Sequence, residues 1–309
     1  MELKYDLAQY LTMTKMSSKI RVLVEGKDDR SHVHNLIKVA APGLRFRVDT
    51  AVELVGDCDE TRTNNRAKIE KVHSCCKGKG THKKLFFFCD REFRRFVVGD
   101  SIVDELLEHE VDGNLSWSLG HSIENYFLSS SMLCEGFRYL TASAQKNEAI
   151  DMFVRYFPSA IRLVASLTVA AKDLRCAGYP GGLLKWQNIE FNDAGIVLKF
   201  EPSDDVFRNR FLNAVEESDS IVNATDVDVC SRFCRGHTAV LVLQRVFAAC
   251  LFFCGQSSDA IAAKYDADAF NNLSEATISS ALSEAWILRV RQGEPQYPLP
   301  LVASILACA

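Results

Sequence analysis

The chain has 309 residues, 48% apolar and 25% charged, with a formal net charge of −4, which suits one large or two ordinary globular domains and argues against wholesale disorder. It has no apolar run of about 18 residues, and acidic residues stand at the N-terminus where a signal peptide is basic and then apolar, so neither a membrane-spanning helix nor secretion is expected. The charge is unevenly placed: between Thr61 and Arg95 eleven basic residues meet three acidic ones, a local +8 against −12 elsewhere, which equips one patch to hold a polyanion.

Residues 19–24, Lys-Ile-Arg-Val-Leu-Val, read as a strand that ends at Glu25-Gly26-Lys27-Asp28-Asp29. Val33, Leu36, Ile37 and Ala40 then recur with helical spacing, and Ala41-Pro42-Gly43 stops that helix. One or two short strands are expected over 44–55 and a helix over 62–76. Leu85-Phe86-Phe87-Phe88-Cys89 is a continuous apolar run, as in a strand covered on both faces, and it ends at Asp90-Arg91-Glu92. A short helix over 102–109 follows. A further strand over 114–119 leads into His121-Ser122-Ile123-Glu124-Asn125-Tyr126-Phe127-Leu128. Alternating strands and helices predict an α/β domain over 1–128 with a parallel sheet flanked by helices. Ligands of such sheets bind beyond the carboxyl ends of the strands, where Glu25, Asp90 and Glu124 are expected.

The remainder, 129–309, reads as mainly α-helical. Ile150, Phe153, Val154 and Phe157 have helical spacing, as do Ile161, Val164 and Ala165, with Pro158 separating or kinking the two. A loop is expected over 178–182 and a hairpin over 183–200 around Asn192-Asp193-Ala194-Gly195. Helices follow over 203–217, 237–254 and 274–290, the last with Ile278, Leu282, Ala285 and Trp286 on one face. The eleven cysteines, several in apolar runs, fit reduced thiols in a cytoplasmic protein. Cys230/Cys234 and Cys250/Cys254 are spaced by one helical turn, which suits a buried core better than zinc. Gly78-Lys79-Gly80-Thr81 lacks the upstream spacing of a Walker loop, so ATP hydrolysis by this chain is disfavoured.

The strongest constellation is a pair of apolar strands, each ending in carboxylates. Mg2+ takes hard oxygen ligands, and carboxylates from two adjacent strand ends can converge on it. Gly26 permits a sharp turn after Glu25, and Asp29 comes one helical turn later, within reach of a second ion. The plain alternative is that Asp28 or Asp29 caps the helix. Arg91 likewise has a second reading, as counter-charge to the carboxylates, and Arg235-Gly236-His237 reads as a helix start.

A strand followed by Glu-Gly-x-x-Asp, then a strand followed by Asp-x-Glu, resembles the Toprim signature, here Glu25, Asp29, Asp90 and Glu92. Glu92 departs from the usual second aspartate, lengthening that arm by one methylene. With the 121–128 segment and Arg235-Gly236-His237, the chain resembles Toprim nucleases of the overcoming-lysogenisation class, and among them the effector nucleases of PARIS anti-phage defence systems. The likeness is concentrated in residues 19–128. It implies a Toprim-like α/β fold and a Mg2+- or Mn2+-dependent endonuclease acting on nucleic acid, tRNA in the PARIS class. It implies Glu25 and Asp90 as principal metal ligands with Asp29 and Glu92 in support; Glu124 is a candidate further catalytic carboxylate because it ends the next expected strand. Lys83, Lys84, Arg91, Arg94 and Arg95 are candidate phosphate contacts, and His121 a candidate acid or base. The family likeness further implies restraint by an ABC-type ATPase partner and activity as a homodimer. The rival expectations are a DNA endonuclease of the same family and a non-catalytic docking module.

Overall fold

The structure, a computed structural model, describes residues 4–176, 182–293 and 296–308; the loop expected over 178–182 falls largely outside them. In chain order the elements are β1 (Tyr5–Asp6), α1 (Leu7–Lys15), β2 (Ile20–Val24), α2 (Lys27–Ala40), β3 (Phe46–Thr50), β4 (Leu54–Val55), α3 (Asp59–Thr63), α4 (Asn65–Cys76) and β5 (Leu85–Cys89). Four short strands follow: β6 (Phe96–Val98), β7 (Ile102–Asp104), β8 (Val111–Asp112) and β9 (Leu115–Trp117). Then come α5 (Ser130–Leu140), α6 (Lys146–Asp173), β10 (Ile189–Asn192), β11 (Gly195–Leu198), α7 (Val206–Asn223), α8 (Val227–Phe233), α9 (Gly236–Asn271), α10 (Glu275–Gln292) and α11 (Leu299–Ala307). They form two compact units, each discontinuous in the chain. The first comprises Met1–Arg91, Leu106–Ile123 and Ile287–Ala309, the second Glu92–Glu105 and Glu124–Trp286.

The first unit is built on a sheet of strand order β3-β2-β5-β9-β8. The first four strands run parallel, and β8 pairs antiparallel with β9. Every residue of β2 and β5 is buried, which explains the unbroken apolar run of β5 and the lack of polar alternation in β2, whose one charge, Arg21, is paired inside with Asp49: strands covered on both faces have no solvent side to encode. From β2 the chain crosses through α2 to β3 on one side. It returns through α3 and α4 to β5 on the other. The order therefore reverses between β2 and β5, and the crevice at such a reversal is where α/β sheets bind ligands.

Leu23, Phe87, Cys89 and Trp117 from the sheet, Ile69 and Val72 from α4 and Tyr10 from α1 form its core. One buried carboxylate, Asp49, accepts from Arg21 Nη1 at 2.7 Å, Arg47 Nε at 2.6 Å and the Tyr10 hydroxyl at 3.1 Å, so its charge is compensated where desolvation would otherwise be costly. Helix α11, which the sequence reading did not anticipate, packs on β5 and β9.

The second unit is mainly helical. Helix α6 runs unbroken for 28 residues through Pro158, where the sequence predicts a break or kink. Ala160, Ile161, Val164 and Ala165 beyond it are buried, and packing against α5, α7, α8 and α9 holds the helix despite the missing N–H. Helix α9 changes direction at Asp259, which has non-helical φ and ψ. Its carboxylate accepts from Ile261 N and Ala262 N at 3.0 Å each, capping the following segment.

Helices α6 and α9 are long and apolar enough to cross a bilayer by length and composition. Half of the most apolar stretch of α6 and two thirds of that of α9 are buried inside the protein. Phe137, Phe153, Phe247 and Phe270 form an aromatic cluster in this core. The expected face of α10 is buried at Ile278, Leu282, Ala285 and Trp286, and the expected hairpin is β10–β11.

Where a helix is expected over 102–109 the chain instead forms the hairpin β6–β7, pairing Ile102 with Val98 and Asp104 with Phe96. The hairpin is pinned within its unit: Ile102 N donates to Thr225 Oγ1 at 2.8 Å, and Arg232 reaches Asp104 at 3.2 Å. Two leucines at 106 and 107 resemble a helical face, but long-range bonds decide the backbone here.

Candidate functional site

Glu25 directly follows β2, and Asp90 directly follows β5, its neighbour in the sheet. Register sets their proximity: Arg21 pairs with Leu85 and Leu23 with Phe87, so both strands end together. The backbone N–H of Asp90 donates to Glu25 Oε1 at 3.0 Å. Asp90 Oδ1 in turn accepts from the backbone N–H of Ile123 at 3.2 Å. Both acidic residues are half-buried, so they are oriented by backbone donors yet retain access to solvent.

Asp29 stands in the first turn of α2, and its Oδ2 accepts from Gly26 N at 2.7 Å. A Cβ on residue 26 would lie 3.3 Å from that oxygen, so Gly26 leaves room for the close cap. Asp29 thus has the capping role named as its plain alternative, at the same turn as Glu25.

Sequence proximity misleads about the basic residues. Lys83 and Lys84 are exposed but precede β5, whereas Asp90 follows it. Six residues of extended chain span about 20 Å, so these lysines lie at the opposite end of the sheet from the carboxylates. Arg91 is fully buried, its Nη1 donating to Leu119 O at 2.6 Å and its backbone N to Ser118 Oγ at 2.9 Å. Both facts correct the expectation that Lys83, Lys84 and Arg91 border the carboxylates as surface phosphate contacts. His121, the candidate acid or base, is also buried.

Glu92, Arg94 and Arg95 belong to the second unit and are exposed in the turn that leads to β6. Glu92 has φ 50° and Arg95 φ 63°, a left-handed conformation unfavourable to residues with a Cβ. Two such residues concentrate backbone strain in the turn 92–95, which begins at the last residue of Asp-x-Glu. Arg95 lies 3.7 Å from Glu105.

Glu124, also of the second unit, is not at a strand end as expected. It sits in a 3-10 turn, Ile123–Phe127, beyond β9, and is buried. His237, in the first turn of α9, has Nε2 3.7 Å from Glu124 Oε1, and its Nδ1 meets Glu275 Oε1. This Glu–His–Glu arrangement was not legible in the sequence, because its members come from three distant segments. Arg235-Gly236-His237 does start a helix, as its spacing suggested, and His237 also joins two carboxylates.

Six of the cysteines, Cys76, Cys89, Cys134, Cys230, Cys234 and Cys250, are buried, whereas Cys58 and Cys75 are exposed. All eleven are free, and burial pushes the Cys230 thiol up to about 11 and those of Cys234 and Cys250 well above the usual range. Two grooves, about 730 Å3 between α6 and α7 and about 760 Å3 along α1, are lined by other residues than the carboxylates.

Among the described residues no three His, Cys, Asp or Glu side chains gather into a ready metal-binding cluster. The oxygen-only donor set of Glu25 and Asp90, half-buried at adjacent strand ends, nevertheless suits a hard, partly hydrated cation such as Mg2+. No protein-family model matches the chain, and no curated protein matches it.

Proposed function

We propose that this protein is a cytoplasmic, metal-dependent phosphodiesterase of the Toprim nuclease class, an endoribonuclease whose substrate class is tRNA. The observation that carries the reading is the Glu25–Asp90 pair: two carboxylate residues succeeding adjacent central strands at the point of reversed strand order, coupled by a backbone hydrogen bond. In this reading Glu25 and Asp90 hold Mg2+ or Mn2+, with Asp29 and Glu92 in support. The ion supplies Lewis-acid polarisation of the phosphoryl group when bound.

The chain's own contribution is orientation. The N–H groups of Asp90 and Ile123 fix the Glu25 and Asp90 carboxylates and reduce the entropy lost on binding a cation. Glu124 is the further catalytic carboxylate of the proposal. His237 stands beside it, with Nε2 3.7 Å from Glu124 Oε1. The resemblance to PARIS effectors extends the proposal to an abortive-infection toxin that is held by an ABC-type ATPase and acts as a homodimer.

Brief expression of the wild type beside Glu25→Gln and Asp90→Asn, followed by total RNA and DNA integrity, tests the reading. Discrete small-RNA fragments present with wild type and lost in both variants are expected. Degraded DNA would move the substrate to DNA. Intact nucleic acid with the purified wild type in Mg2+ or Mn2+ would sink the enzyme assignment and leave a docking module.

A further inference from the structure

The basic segment noted in the sequence is mostly neutralised or buried where it folds. Arg62 pairs with Asp59 at 3.0 Å, Lys71 with Asp57 at 2.7 Å and Lys77 with Asp112 at 2.7 Å. Lys68 is buried, its Nζ donating to Ala51 O at 3.1 Å. The surplus is concentrated in one place within the first unit. Lys79, Lys83 and Lys84 are exposed on the loop entering β5, Lys19 on the loop entering β2 and Arg45 immediately before β3.

Sheet register puts these cations on one edge. Ile20 N donates to Arg45 O at 3.1 Å and Arg21 N to Lys84 O at 2.9 Å, so the starts of three neighbouring parallel strands lie side by side, about 5 Å apart. Lys84 also reaches back to Ser18 O at 3.2 Å, and His82 to Leu11 O at 3.3 Å, which ties the loop to the end of α1, where Lys15 stands exposed. Among the described residues, Lys15, Lys19, Arg45, Lys79, Lys83 and Lys84 have no carboxylate within ion-pair distance.

We infer that this amino-terminal edge of the sheet is a second nucleic-acid contact, remote from the carboxylates, that grips the phosphate backbone of a folded or duplex substrate. The inference rests on the nuclease reading above and adds a length requirement to it. The edge and the Glu25–Asp90 end are separated by about 20 Å of strand, or about six phosphates at 3.4 Å each along one strand of a duplex. A substrate shorter than that reaches one end only.

Nucleic acid suits the edge better than a lipid surface. The loop from Lys77 to Lys84 carries cations, two glycines, a threonine and a histidine, with no apolar side chain to enter a bilayer. Met16, exposed on the adjacent loop, and Leu306, exposed near the end of α11, favour lipid, and the test includes that outcome.

The test uses the full-length chain carrying Glu25→Gln to prevent turnover. It compares Lys83→Glu/Lys84→Glu and Lys19→Glu/Arg45→Glu in that background, with folding checked by thermal melting. Binding of a 20-base-pair RNA hairpin is measured against salt, beside vesicles of phosphatidylserine in phosphatidylcholine. Each double variant is expected to bind RNA at least tenfold more weakly, with a slope of log affinity on log salt shallower by about two. In otherwise wild-type protein, the same pairs should raise KM for hairpin cleavage and leave hydrolysis of a five-nucleotide RNA unchanged. Unaltered RNA affinity and slope in folded variants would overturn the inference while leaving the nuclease reading intact. Charge-dependent vesicle binding with RNA affinity unaltered would overturn it in favour of lipid. Failure of the parent protein to bind this RNA would overturn the inference, and only together with intact RNA in the cleavage assay would it overturn the endoribonuclease reading as well.

Discussion

The backbone N–H of Asp90 donates to Glu25 Oε1 at 3.0 Å, joining residues that are 65 positions apart in the chain. The bond exists because β2 and β5 are neighbours in register. It makes the spacing of the two side chains a property of the buried sheet, where a slip of one residue would reverse every side chain's face. Glu25→Gln keeps an oxygen acceptor for that N–H and removes the charge. Its melting temperature should therefore stay within a few degrees of wild type, while metal-dependent hydrolysis falls about a hundredfold or more. Parallel melting and cleavage assays check this, and retained cleavage would remove Glu25 from the site.

Asp29 separates capping from ligation. Asp29→Ala loses the bond to Gly26 N and should cost about 1 kcal/mol, or about 2–4 °C in melting temperature. Asp29→Asn retains an acceptor and should keep the stability. If Asp29 also supports the ion, the neutral amide lowers hydrolysis tenfold or more at saturating substrate. Unchanged cleavage by Asp29→Asn would limit this residue to the cap.

The strained turn after Asp90 offers a third test. Glycine adopts positive φ without a Cβ clash, so Arg95→Gly should raise stability by up to about 1 kcal/mol in urea unfolding. Its surface pairing with Glu105 offers little to lose. Glu92→Gly should relieve the same strain but reduce hydrolysis if this carboxylate supports the metal. A loss of stability in both would show that the turn is held by contacts stronger than its backbone preference.

Burial pushes His109 down to about 4. Between roughly pH 6.5 and 4 the unfolded chain binds a proton at this imidazole and the native protein does not. Stability should therefore decline as pH falls through that window, and this component should be absent in His109→Gln. Urea unfolding of both proteins at pH 7.5, 6 and 5 measures it, and equal pH dependence in the two would refute it.

Much of the sheet was legible because its signals are local. The strands Ile20–Val24, apolar but for Arg21, and Leu85–Cys89, apolar throughout, were recognisable, each followed by an acidic residue, and both are buried throughout. The α2 face at Val33, Leu36 and Ile37 followed from helical spacing, and the stop at Ala41 from the proline and glycine behind it. These features depend on side-chain apolarity and backbone freedom, which neighbouring residues reveal.

Tertiary structure decided what distance along the chain conceals. Six residues make Lys84 and Asp90 look adjacent, but an extended strand carries them to opposite ends of the sheet. Arg91 reads as a surface cation until the Leu119 carbonyl and Ser118 hydroxyl that hold it inside are known. Pro158 reads as a separation or a kink, and only the tertiary structure shows that one helix continues through it, packed against its neighbours. Glu124, His237 and Glu275 meet only because three segments fold together. By itself the sequence determined which strands are buried and which carboxylates follow them, since burial and turning are written in consecutive residues. Strand direction, register and packing decided which charges face solvent and which groups meet, because those depend on contacts that the covalent order does not contain.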